Sequence, residues 1–84
     1  MIMVTMYTTQ FCPFCVRAKM LLDKKGAKYN EIKVDQDYNL RREMTSKSGR
    51  NTVPQIWIGE MHVGGCDELF QLENQNKLDQ LLKG

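Results

Sequence analysis

The chain opens on a compact apolar pattern. Within Ile2 to Thr8 the β-branched and other apolar residues predict a strand. After Cys15 the spacing changes: Val16, Met20 and the group Ala18, Leu21, Leu22 recur at helical intervals, and Gly26 supplies a natural helix terminator. Tyr29 to Val34 reads as a second strand, with Ile32 and Val34 on one face. A short, polar helix is predicted over Leu40 to Lys47, with Leu40 and Met44 toward the core, Asn39 as its cap and Gly49 as its stop. Gln55 to Ile58, the turn Gly59-Glu60 and Met61 to Val63 form a hairpin pattern, which Gly64-Gly65 interrupts. From Cys66 to Lys83, Leu69, Phe70 and Leu72 and then Leu78, Leu81 and Leu82 predict one or two short helices, broken around Asn74 to Asn76.

The order strand, helix, strand, helix, strand, strand, helix constrains the topology. A right-handed crossover makes the first two strands parallel, and the hairpin adds an antiparallel pair. The expected architecture is α/β, a mixed four-stranded sheet flanked by helices. It brings the end of the first strand, the loop before the third and the start of the helix after Gly65 to one edge. No internal repeat or linker is visible, so residues 1–84 are read as a single domain with one modest core.

Composition narrows the function classes. Hydrophobic residues make up 42% of the chain and charged ones 26%, as in soluble globular proteins. No apolar run approaches the ~20 residues of a membrane span. A formal charge of +2, with no basic run interleaved with aromatics, gives no reason to expect a nucleic-acid partner. Lys24, Lys25 and Lys28 gather where a helix C-terminus favours cations, which explains them without a binding role. The N-terminus lacks a secretory pattern and the cysteine count is odd, at 3, so a reducing cytoplasmic setting is expected.

Chemistry concentrates at Cys12-Pro13-Phe14-Cys15, which lies between the first strand and the first helix. There, free backbone N–H groups and the positive end of the helix dipole favour a thiolate on the first cysteine. Cys12 is the expected nucleophile, and Cys15, three residues on, is less open to solvent. Such a pair alone also fits half a zinc site, and His62 with Cys66 offers formal second ligands. Pro13 fits the first position of a helix better than the turn of a zinc knuckle.

Four segments together are more specific: Cys12-Pro13-Phe14-Cys15, Thr52-Val53-Pro54, Gln55-Ile56-Trp57-Ile58-Gly59 and Gly64-Gly65-Cys66-Asp67. In this order and spacing the chain resembles the glutaredoxins from end to end. The resemblance implies a thioredoxin-like fold and glutathione-dependent reduction of protein disulfides and glutathione mixed disulfides. Cys12 would attack and Cys15 resolve. In similar proteins the equivalent of Pro54 follows a cis peptide bond, which turns the backbone of Val53 toward a bound thiol peptide. The implied glutathione site comprises Phe14, Arg41, Thr52, Val53, Pro54, Gly65, Cys66 and Asp67. Glycine-led amides and the Asp67 carboxylate suit the zwitterionic γ-glutamyl head.

Two positions depart from the family pattern. Thr9 stands where many glutaredoxins carry a lysine, which leaves Arg41 as the expected cation for the glycine carboxylate. Phe14 stands where tyrosine is commoner. Cys66 is expected to be a bystander thiol whose exposure leaves it open to oxidation or glutathionylation. No metal or tightly bound cofactor is expected, with glutathione as co-substrate. The expected partners are glutathione and disulfide-containing or glutathionylated proteins, ribonucleotide reductase or another reductase among them, and the protein is expected to be a monomer. Two alternatives remain: reduction by thioredoxin reductase, which the Gly65-Cys66-Asp67 segment disfavours, and an iron-sulfur carrier, which Pro13 disfavours.

Overall fold

The computed structural model describes residues 2–84. Its elements run β1 (Val4–Thr8), α1 (Pro13–Lys24), β2 (Tyr29–Lys33), α2 (Tyr38–Ser48), β3 (Gln55–Ile58), β4 (Met61–Gly64), α3 (Cys66–Asn74) and α4 (Leu78–Lys83). The four strands form one mixed sheet in the order β2-β1-β3-β4. β1 runs parallel to β2 and antiparallel to β3, and β3 pairs antiparallel with β4. The thioredoxin-like architecture read from the sequence is therefore present.

Alternation along β1 and β3 assigns the two faces of the sheet. Val4, Met6, Ile56 and Ile58 pack with Ala18, Leu21 and Leu22 of α1, Leu69 of α3, and Leu78 and Leu82 of α4. On the opposite face Tyr7, Val34 and Met44 cluster with Leu40 and Trp57. α2 holds to this face by one fully buried side chain, Met44. Each buried Leu or Met contributes about 1.5–3 kcal/mol, so α1 is anchored far more firmly than α2.

Several boundaries differ from the sequence reading. α2 starts two residues earlier than the expected Leu40, and Asp37, not Asn39, is its cap: the Asp37 carboxylate accepts from the Leu40 N–H at 3.1 Å. Tyr38 and Asn39 carry no apolar periodicity, which hides that first turn. β1 is shorter than expected, with Ile2 and Met3 outside it. Val16 and Met20 do lie on α1, but they face solvent, and the buried stripe is Cys15, Ala18, Leu21 and Leu22. Lys25 takes part in a salt-bridge pair, with its ammonium 2.8 Å from Glu73 and 3.0 Å from Asp79, tying the end of α1 to α3 and α4.

The end of β1 is held by a polar knot. Thr8, fully buried, donates its hydroxyl to Glu31 Oε2 at 2.6 Å, and Lys19 Nζ of α1 reaches the same oxygen at 3.0 Å. The Thr8 hydrogen bond, with Lys19 behind it, outweighs burial and lowers the Glu31 carboxyl below its ordinary 4.5. A lowered acid is ionised in the folded state while the unfolded chain still binds the proton, so its contribution is complete above the ordinary value and disappears as pH falls through the lowered one. Glu31→Gln should cost about 1 kcal/mol in urea unfolding at neutral pH. The difference from the parent chain should shrink as pH falls below the ordinary carboxyl value and through the lowered one. An undiminished difference there would mean that charge on Glu31 is not what holds the knot.

Candidate active site

Cys12 is itself the N-cap of α1. Its backbone is extended, at φ −137° and ψ 102°, and its sulfur accepts from the Cys15 N–H at 3.1 Å. Pro13 takes the first helical position, where no N–H is needed. The chain thus aims a backbone donor at the sulfur, which stabilises negative charge there. Cys15 lies one turn in, with its Cα 5.1 Å from that of Cys12, and the two sulfurs form a disulfide. Cys12 is 8% exposed and Cys15 1%, so the outer sulfur is the one that a partner reaches first.

Three segments converge beside this pair. Phe14, Thr52, Val53, Pro54, Gly65, Cys66 and Asp67, with Arg50 and Glu68, line an open cleft of about 220 Å³. The Val53–Pro54 peptide is cis, and the Val53 carbonyl oxygen lies 3.9 Å from Cys12 Sγ. At Gly65 the start of α3 comes so near this loop that a Cβ would stand 3.3 Å from the Pro54 carbonyl oxygen. Gly64, at φ 111°, turns the chain out of β4, and a Cβ there would come 2.5 Å from Glu68 Oε1. The glycine pair therefore lets the two loops close on one another.

Glu68 organises that junction. Its Oε1 accepts from the Gly65 N–H at 2.6 Å and from Arg50 at 3.0 Å. The Gly65 bond is the main cause of its lowered carboxyl pKa, with Arg50 adding to it against burial. Neither Arg50 nor Glu68 stands out in the sequence reading. Glu68 was findable as the third residue after a helix cap, the acidic half of a capping box. Arg50 was not, because its partner lies 18 residues away.

One expectation needs correction. Cys66 is buried, at 6% exposure, within the cluster beneath α3, and burial followed by the neighbouring Asp67 pushes its thiol up. It is not the exposed thiol anticipated beside the site. Arg41 does not line the cleft: its guanidinium donates to the Asn51 carbonyl at 2.8 Å and to Asn51 Oδ1 at 3.0 Å, bracing the loop before Thr52. His62 is half-buried, stacks on Trp57 at 4.6 Å and lies 2.7 Å from Gln55 Oε1. Burial, then Arg50, lowers its pKa. Among the described residues no group of three or more His, Cys, Asp or Glu side chains could hold a metal ion, and no helix is long and apolar enough to cross a membrane.

The glutaredoxin family model matches residues 4–63, from β1 through the Thr52-Val53-Pro54 loop into β4. The chain belongs to the glutaredoxin family. A glutaredoxin of Pseudomonas aeruginosa is 57% identical over 79 residues, covering 94% of each chain. Among solved structures, a solution structure of glutaredoxin from Brucella melitensis is 57% identical, with a TM-score of 0.88 over 99% of this chain and 90% of that one. A buckwheat glutaredoxin in complex with glutathione is 31% identical, with a TM-score of 0.89 over 95% of this chain and 76% of that one. Family membership makes this glutaredoxin a thiol-disulfide oxidoreductase.

Cys12 and Cys66 should differ sharply in reactivity. When the reduced protein is treated with iodoacetamide near neutral pH, Cys12 should be alkylated at least ~100-fold faster than Cys66. Peptide mass mapping resolves the sites. Unfolding in urea should abolish the difference, and equal rates in the folded protein would overturn the Cys15 N–H as the source of Cys12 reactivity.

Proposed function

We propose that this glutaredoxin takes its electrons from glutathione and reduces both glutathionylated proteins and protein disulfides. The observation that carries the reading is the cleft beside Cys12, which joins the Val53 backbone, the amides at the start of α3 and the Asp67 carboxylate. An extended thiol tripeptide suits it. Its backbone can pair with Val53, its α-carboxylate can meet the helix N-terminus, and its ammonium can meet Asp67. Phe14 adds an apolar wall, 51% exposed, and Thr52 a hydroxyl at the rim. The buckwheat relative in complex with glutathione supports the same assignment.

The chemistry is thiol-disulfide exchange. On a glutathionylated protein, Cys12 thiolate attacks the glutathione sulfur. A Cys12–glutathione disulfide forms, and the protein thiolate leaves. A second glutathione thiolate then attacks the glutathione sulfur of that mixed disulfide, releasing glutathione disulfide and restoring the Cys12 thiolate. On a protein disulfide, Cys12 forms a mixed disulfide with one protein sulfur, and Cys15 attacks Cys12 Sγ to free the reduced protein. The resulting Cys12–Cys15 bridge is the state seen in the structure, and two glutathiones return it to the dithiol. Cys15 is needed only on the second route.

For the glycine carboxylate, the geometry favours Arg50 over Arg41. Arg50 lines the cleft, with Glu68 as its partner there, while Arg41 lies outside it and is engaged with Asn51. No resident metal or cofactor enters this reading.

Cys15→Ser should retain deglutathionylation and lose reduction of an intramolecular protein disulfide, read in parallel coupled assays with glutathione and glutathione reductase. Loss of both activities would refute the division of labour. Replacing glutathione by thioredoxin reductase in the same assay should abolish turnover. Arg50→Ala should raise KM for a glutathionylated peptide about fivefold or more, as expected for loss of a charged contact, with a smaller change in kcat. Arg41→Ala should change KM less, and the reverse order would return the cation role to Arg41.

A further inference from the structure

The exchange chemistry leaves the outer side of α1 unused. Between α1 and α3 an open groove of about 360 Å³ is lined by Arg17, Met20, Leu21, Lys24 and Phe70. Its apolar part is Met20, Leu21 and Phe70, and Met20 is 65% exposed. Arg17 and Lys24 are the cations at its border. They are two helical turns apart, about 10 Å along the axis. No carboxylate among the described residues forms an ion pair with either. Of the acids on the facing elements, Glu73 and Asp79 hold Lys25 and Glu68 holds Arg50, while Asp67, at the start of α3, belongs to the cleft beside Cys12.

The groove is continuous with the active site. The Arg17 guanidinium sits over the Phe14 ring at 5.7 Å, and Phe14 also lines the cleft beside Cys12. A chain whose sulfur is at Cys12 therefore has a path past Phe14, over Arg17 and Met20, toward Lys24. From Phe14 to Lys24 the helix rises about 15 Å, which an extended peptide spans in about five residues. Glutathione is too short to occupy it.

We propose that this groove docks a polypeptide segment adjoining the substrate disulfide, an extended stretch in which apolar residues alternate with acidic ones. Its apolar side chains cover Met20, Leu21 and Phe70, and its carboxylates meet Arg17 and Lys24. The groove thus selects among protein substrates by sequence near their cysteines, while small disulfides depend on the cleft alone. This rests on disulfide exchange at Cys12 and not on glutathione as the electron source.

The test is a single-turnover experiment with pre-reduced protein and no glutathione. Two synthetic peptides share one intramolecular disulfide and carry a six-residue arm of leucine alternating with either glutamate or lysine. Reduced peptide is quantified by chromatography. The acidic arm should react about tenfold faster at low ionic strength, with the gap narrowing as salt is added. The double variant Arg17→Glu, Lys24→Glu should reverse the order, and Met20→Asp should slow the acidic arm toward the rate of an armless disulfide. Rates with an armless disulfide should stay unchanged in both variants. Equal rates for the two arms, or a preference that survives the charge reversal, would overturn the proposal. So would self-association in sedimentation that Met20→Asp abolishes, since it would assign the groove to a second copy of the chain. If glutathione then fails to reduce the Cys12–Cys15 bridge while the arm preference stands, the electron source is wrong and the docking surface is right.

Discussion

The bond from the Cys15 N–H to Cys12 Sγ is the contact on which the rest of the site depends. One atom serves as helix cap and as nucleophile. The start of α1 is therefore fixed by the reacting sulfur itself, and Pro13 secures the register by occupying a helical position that requires no donor. Because α1 packs Ala18, Leu21 and Leu22 into the larger core cluster, that register is enforced from the far end of the helix as well. The sulfur is held by some of the best-buried residues in the molecule, although its own environment is a loop junction.

The sheet order brings the other parts to that sulfur. β1 lies between β2 and β3, so its end, the loop entering β3 and the turn leaving β4 open on the same edge. What closes them together is small: two glycines and one carboxylate. Gly65 approaches Pro54, and Glu68 holds the Gly65 N–H and Arg50. Arg41 braces the same loop from α2 through Asn51. The α1 face of the sheet carries the larger core cluster, and the α2 face, anchored by Met44, supplies the bracing.

Much of this arrangement is legible in the amino-acid sequence. The strand and helix order follows from periodicity and glycine placement, and the segments of the site stand in the chain as short, unusual strings. What is not legible has a physical reason in each case. The α2 cap is hidden because Asp37 precedes two residues without apolar periodicity. That Val16 and Met20 face solvent is hidden because hydropathy does not distinguish a buried stripe from the strip beside it on the same helix. Arg41 and Arg50 are both plain cations in sequence, and only the fold shows which one an adjacent carbonyl has already engaged. The role of Lys25 likewise depends on Glu73 and Asp79, which lie far along the chain.

Cys66 shows most clearly what position on a helix does to a thiol. Cys12 and Cys66 both stand at helix N-termini, within the same junction and beside the same cleft. Cys12 precedes its helix, so its side chain turns back over the first turn and receives a backbone N–H. Cys66 is one position further in, as the first residue of α3, with Gly65 as the cap. Its side chain is carried into the core cluster, where burial and Asp67 oppose ionisation. The helix dipole is common to both and therefore does not separate them. A shift of one residue relative to the cap decides whether the donors at a helix start face the sulfur, and with that whether the thiol is a nucleophile or packing.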